Sequence, residues 1–122
     1  MPAIPEFLII DDNIDNRFLL TKTLRRKYPG ALLEERQDSK TALVAATLTI
    51  SAAVVHRAAD VQGLPMVGML GAANPRLPIL CVSGFDQRER ALELGANAFL
   101  HDDAWLNVGA SVACAHHRRS CP

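Results

Sequence analysis

Short apolar runs recur along the chain, separated by segments with helical spacing. The β-rich runs lie near residues 6–11, 31–35, 52–56, 78–83 and 98–101. Between the first two, Leu20, Leu24 and Tyr28 form an i, i+4, i+8 row, with Ile14 and Phe18 on an adjacent one, which predicts a helix. Asn13 stands where a side chain caps that helix, and Pro29-Gly30 ends it. Ala42, Leu43, Ala46 and Thr47 mark a second helix after Asp38-Ser39. Met66, Val67, Met69 and Leu70 mark a third, entered through Gly63-Leu64-Pro65, where proline suits a first turn. Arg90 to Leu94 belong to a fourth, stopped by Gly95, and Trp105, Val108 and Val112 stripe a fifth.

Five strands alternating with five helices predict an α/β domain: a doubly wound, five-stranded parallel sheet covered on both faces. The central runs are continuously apolar, as strands buried on both sides should be. In such a sheet the functional crevice lies beyond the carboxyl ends of the strands. Asp11, Asp12, His56, Ser83 and a residue near 102 all fall at those ends, so one pocket is expected to gather them.

Composition narrows the possibilities. The 122 residues form one domain, expected over 1–115 with a frayed tail over 116–122. Thirteen basic residues balance thirteen acidic ones, so no overall field favours nucleic acid or an anionic membrane. No apolar stretch approaches the ~20 residues that cross a bilayer. The first residues lack the basic-then-apolar order of a signal peptide. Three cysteines without metal-type spacing argue against a disulfide framework or a zinc knuckle, and a reducing cytoplasm is the expected compartment. Cys81, inside an apolar run, is expected to be a small buried hydrophobe.

The strand-end pair Asp11-Asp12, the Asp12-Asn13-Ile14-Asp15-Asn16-Arg17 opening, the Ser83-Gly84 step and the run from Ala91 to Leu100 appear in a telling order. In that order and spacing the chain resembles the CheY-like receiver domain of two-component response regulators over nearly its whole length. The resemblance implies the (βα)5 flavodoxin-like topology and a role in phosphorelay signal transduction. In that family two acidic residues and an acceptor aspartate bind magnesium, a serine or threonine contacts the phosphoryl group, and a lysine pairs with it. Hard oxygen ligands suit magnesium, and a carboxylate supplies the attacking oxygen.

This chain departs at two positions. His56 stands where the acceptor aspartate is expected, and Asp102 where the lysine is expected. The following loop, Arg57-Ala58-Ala59-Asp60-Val61-Gln62-Gly63, lacks the family's proline and is one residue short. Asp11 and Asp12 therefore carry over as pocket residues only. An anionic phosphodonor would meet uncompensated negative charge. At ~4 Å and an effective dielectric near ~20, one unit of such repulsion costs about 4 kcal/mol.

The expectation is a degenerate receiver working as a phosphorylation-independent, non-enzymatic protein-interaction module with no cofactor. In it His56, kept protonated by Asp11, Asp12 or Asp102, replaces the metal as the pocket's cation. The alternatives are a phosphorelay receiver with Asp60 as surrogate acceptor, His56 as a phosphohistidine, or a small domain binding magnesium or a transition metal through Asp11, Asp12 and His56. For Asp60 a loop charge or helix cap is the competing reading. Ser83 has a competing use in its own turn. The partner implied is a signalling protein or a second copy of the chain, with no nucleic acid and no membrane. Its surface is expected over residues 86–115, with Arg88, Arg90, Phe99 and Trp105 as candidates, although Phe99 and Trp105 also suit the core. Arg88, Glu89, Arg90 and Glu93 are expected to form a solvated helix face. His101, His116 and His117 are expected to be without partners.

Overall fold

The structure, a computed structural model, describes residues 4–117. Strands and helices alternate: β1 (Glu6–Asp11), α1 (Ile14–Lys27), β2 (Leu32–Arg36), α2 (Ser39–Ala45), β3 (Ala52–Arg57), α3 (Gly63–Ala73), β4 (Ile79–Ser83), α4 (Arg88–Glu93), β5 (Ala98–His101) and α5 (Val108–His117). A 3-10 segment, Asp102–Asn107, joins β5 to α5. The strands are all parallel, in the order β2-β1-β3-β4-β5. This is the doubly wound architecture the apolar periodicity predicts.

Successive strand residues face opposite sides of the sheet, and both sides are dry. Leu8, Ile10, Ala53 and Val55 pack under α2, α3 and α4, whose Ala42, Met66, Leu70 and Ala91 complete one core. Phe7, Ile9, Ala52 and Val54 pack under α1 and α5 with Leu20, Leu24, Val108 and Val112. Each fully buried Leu or Ile contributes about 1.5–3 kcal/mol, so these two layers hold the sheet. The short helices are set by their ends. The Asn13 side chain accepts from the Asn16 N–H at 3.0 Å, and Arg25, Arg26 and Lys27 complement the negative end of α1. Asp38 caps α2 by accepting from the Thr41 N–H at 2.8 Å. After α4 the chain turns through Gly95 at φ 116°, a conformation open to glycine.

Several expectations are corrected. Trp105 lies in the 3-10 segment, a turn before α5 begins, so it is not on a helical stripe with Val108 and Val112. Phe99 is buried in the first core, as its alternative reading expects. Ile14 and Phe18, placed on a row next to the buried one, face solvent. Cys114 is disulfide-bonded, a bridge the cysteine spacing did not predict. Helix α5 runs through His116 and His117, which the expected tail included; residues 118–122 lie outside those described.

Candidate functional site

The carboxyl ends of β1, β3 and β4 meet where the strand order reverses. Here the pairing slips: Ile10 is opposite Val55, but Asp11 is opposite Arg57. His56 is the extra residue of this bulge. It breaks the ladder beside Asp11 and leaves the Asp12 N–H to donate to the Arg57 carbonyl at 3.1 Å. Behind the bulge α3 comes very close. A Cβ on Gly63 would sit 2.4 Å from the His56 carbonyl oxygen, so only glycine fits at the head of that helix.

The imidazole lies between two carboxylates. Its Nδ1 is 3.1 Å from Asp11 Oδ2, and its Nε2 is 4.0 Å from Asp102 Oδ2. Asp11 is fully buried, whereas Asp102 is about half exposed. Asp11 Oδ1 accepts from the Asn13 N–H at 3.0 Å, and Arg17 Nη1 donates to the Asp11 carbonyl at 2.7 Å. The contact between Asp11 Oδ2 and His56 Nδ1 is off the hydrogen-bond axis, and neither atom has another hydrogen-bond partner. We read it as an ion pair because the separation is short and both atoms are enclosed. The Asp11 contact holds the His56 pKa above its ordinary value of 6.5. Burial opposes this, and the charges of Asp11, Asp102 and Asp12 reinforce it.

Asp11, His56 and Asp102 line a cavity of about 90 Å³ walled by Leu19, Leu20, Val82 and Trp105. Sequence reasoning thus brings three of its five pocket residues together. Asp12 turns away to Arg57, with Oδ2 3.4 Å from Nε. Ser83 borders an adjacent groove of about 520 Å³, but its hydroxyl donates to Gln87 Oε1 at 3.0 Å and accepts from the Phe85 N–H at 3.1 Å. Asp60 does not line the cavity. Its carboxylate accepts from the Ser39 N–H at 2.9 Å and from the Ser39 hydroxyl, which lowers its pKa, so it closes the start of α2 as the helix-cap reading expects.

Elsewhere, the Arg88 guanidinium sits 5.5 Å over the Phe99 ring, so Arg88 is only half-exposed and departs from a purely solvated face. Arg90 pairs with Glu93 at 3.1 Å in solvent, as expected of that face. His101 Nδ1 lies 2.8 Å from Asp103 Oδ1, and His116 Nδ1 lies 3.0 Å from the Ser51 carbonyl; neither is without a partner. Cys81 is buried, with its thiol pushed up to about 11. Sequence reasoning missed Gln87, the bulge and the close contacts of Gly63 and Gly84. None has a periodicity of its own; each is defined by what another segment brings against it.

Magnesium takes oxygen ligands, and residue 56 presents an imidazole between Asp11 and Asp102. Of the acids at the site, Asp11 is turned to His56 and Asp12 to Arg57, while Asp102 stands 4.0 Å from His56 Nε2. Among the described residues no three His, Cys, Asp or Glu side chains are arranged to hold a metal ion.

No family model matches the chain, and no curated protein matches it in sequence. Solved structures match in fold. A two-component response regulator of the LuxR family from Aurantimonas sp. superimposes with TM-score 0.83 at 15% identity, covering 96% of this chain and 88% of that one. A CheY-like receiver domain protein from Methanospirillum hungatei gives 0.73 at 16% identity, covering 94% and 98%. A Burkholderia pseudomallei response regulator, whose structure holds a phosphorylated aspartic acid and a calcium ion, gives 0.71 at 23%, covering 93% and 69%. The chain has the receiver fold.

Proposed function

We propose that the chain is a degenerate receiver: a non-enzymatic signalling domain of two-component type that binds a protein partner and takes no phosphoryl group at residue 56. The observation that carries this is the His56–Asp11 pair, which puts an imidazole and a buried counter-charge where a nucleophilic carboxylate and its metal would be needed. Asp102 supports it by placing acid where transferring phosphate calls for a cation. Ser83 is committed to its own turn, and both Asp60 oxygens are engaged by Ser39.

The partner face of this reading is α4, β5 and α5. A groove of about 430 Å³ runs there past Arg88, His101, Asn107 and Ala110, with exposed Leu92 on α4. Balanced charge gives nucleic acid no hold. No helix among the described residues is long and apolar enough to cross a membrane. The partner is a signalling protein or a second copy of the chain, no cofactor is required, and the setting is cytoplasmic. Incubation with acetyl phosphate and magnesium, followed by intact-mass measurement, is expected to leave the mass unchanged. A stoichiometric phosphoryl adduct would overturn the proposal.

A further inference from the structure

We propose that the outer face of α1 is the contact between two copies of this chain, packed antiparallel about a two-fold axis that passes between Phe18 and Leu19. This goes beyond the function proposed above and does not depend on the chemistry at residue 56. It assigns the second copy to α1 and leaves the α4-β5-α5 groove to a signalling protein.

The inner side of α1 is already committed to the fold. Leu20, Thr21 and Leu24 are buried there, and the two leucines belong to the second core. A helix on the surface of a sheet normally turns charged and polar residues outward. Here Ile14 is 70% exposed, Phe18 60% and Leu19 38%, three large apolar side chains within two turns. Single exposed apolar residues are ordinary on any protein. A group of them on one helix face, rimmed by charge, marks an interaction surface.

The charges on that face say what covers it. Asp15 stands one turn before the Phe18-Leu19 pair and Lys22 one turn after it, both exposed. At spacings of three and four these four side chains share one side of the helix. Among the described residues neither Asp15 nor Lys22 makes an ion pair, whereas Arg17, Arg57 and Arg90 each hold an acid. Lys22 instead lays its ammonium over its own Phe18, 6.0 Å from the ring centre. The order acid, apolar pair, base inverts about its midpoint, because Asp15 precedes that point by as many positions as Lys22 follows it. A face of this kind is complementary to a reversed copy of itself, which is what a two-fold contact demands.

Two such helices crossing antiparallel at about 20° bring Phe18 and Leu19 of both copies together at the axis and set Asp15 of each beside Lys22 of the other. The ends extend the polarity. Arg25 and Arg26 lie beyond Lys22, and Asp102 lines the cavity that Asn16 and Leu19 border at the head of α1. A parallel pair would set acid against acid and base against base, so charge fixes the direction as well. The contact is one helix wide and about 21 Å long. That falls short of the ~800 Å² per partner of a standard interface, so the dimer is weak and governed by concentration. The groove past Arg88, His101, Asn107 and Ala110 contains no residue of α1 and stays open in the dimer.

Sedimentation velocity on the full chain, from about 10 μM to about 1 mM, should show a monomer–dimer equilibrium. Phe18→Asp should weaken the dimer by about tenfold or more, with circular dichroism showing that the fold is kept. Asp15→Lys and Lys22→Asp should each weaken it by about tenfold, because both pairs across the axis become repulsive. Mixed together, these two variants should form a heterodimer about as tight as the wild-type dimer, since each supplies the charge the other lacks. Leu92→Asp, on α4, should leave the dimer intact. A wild-type chain that stays monomeric throughout the range would overturn the proposal. So would a dimer that persists in Phe18→Asp, one lost in Leu92→Asp, or a mixture no tighter than either charge variant alone. None of these outcomes involves phosphate, so an adduct in the acetyl phosphate experiment refutes the function proposed above, while a failed mixing experiment refutes the α1 contact.

Discussion

At the scale of single residues, an imidazole at the end of β3 changes what its neighbours require. Asp11 is fully buried, and His56 is the side chain set against its unpaired oxygen. Removing that partner leaves a carboxylate enclosed without a cation. His56→Ala should destabilise the fold by about 2–4 kcal/mol, toward the lower end for buried pairs because the His56 edge reaches solvent. Urea denaturation near pH 6 measures it. Adding Asp11→Asn to that variant should recover part of the loss, since the charge no longer needs a partner; strict additivity of the two losses would contradict the pairing. The strand-tip positions of Asp11, His56 and Asp102 were legible because each follows an apolar run of fixed length. That Asp12 would turn to Arg57 and Ser83 to Gln87 was not, because a one-residue slip and a side chain four positions on decide those contacts.

At the scale of elements, the junction of β3 and α3 is the tightest point beside the site. The helix begins at Gly63 because that residue rests against the His56 carbonyl, and the obstruction there is backbone, which cannot swing aside. Gly63→Ala should therefore cost about 1–3 kcal/mol and displace the bulge. Thermal denaturation should show the loss, and the His56 ring resonances should shift in the same variant. Unchanged resonances would mean that helix and bulge are not mechanically joined. The glycine in Gly63-Leu64-Pro65 was readable as the entry to a helix, but not as a contact, since the residue it touches is seven positions back on another element. The last helix shows the same limit. Trp105, Val108 and Val112 share an apolar spacing, yet the turn at Ala104 puts the tryptophan in a tighter coil that packs it toward the cavity. Spacing tells which residues want to be dry, and the local bend decides where they find a dry surface.

For the whole molecule, topology was the most legible feature. Continuous burial along β1, β3 and β4 leaves a parallel, doubly covered sheet as the compact solution, and the strand-end crevice follows from it. The protonation of that crevice depends on separations among segments distant in sequence, so it required coordinates. Its consequence reaches global stability. The folded-state pKa of His56 is raised above the unfolded value, chiefly by the Asp11 contact, so the folded chain binds the proton more tightly than the unfolded one. Its stabilisation is fully present below the unfolded pKa and is lost as pH rises through the folded one. Asp60 behaves in the opposite sense: its folded pKa is lowered by Ser39, so its contribution is present above the unfolded value and lost only as acid takes pH down through the folded one. The two groups therefore act in separate windows. The urea midpoint should decline as pH rises from about 6 toward the alkaline side, and His56→Gln should flatten that decline while keeping the acid limb. A wild-type midpoint that rises over the same interval would mean that burial, not the Asp11 carboxylate, governs the imidazole.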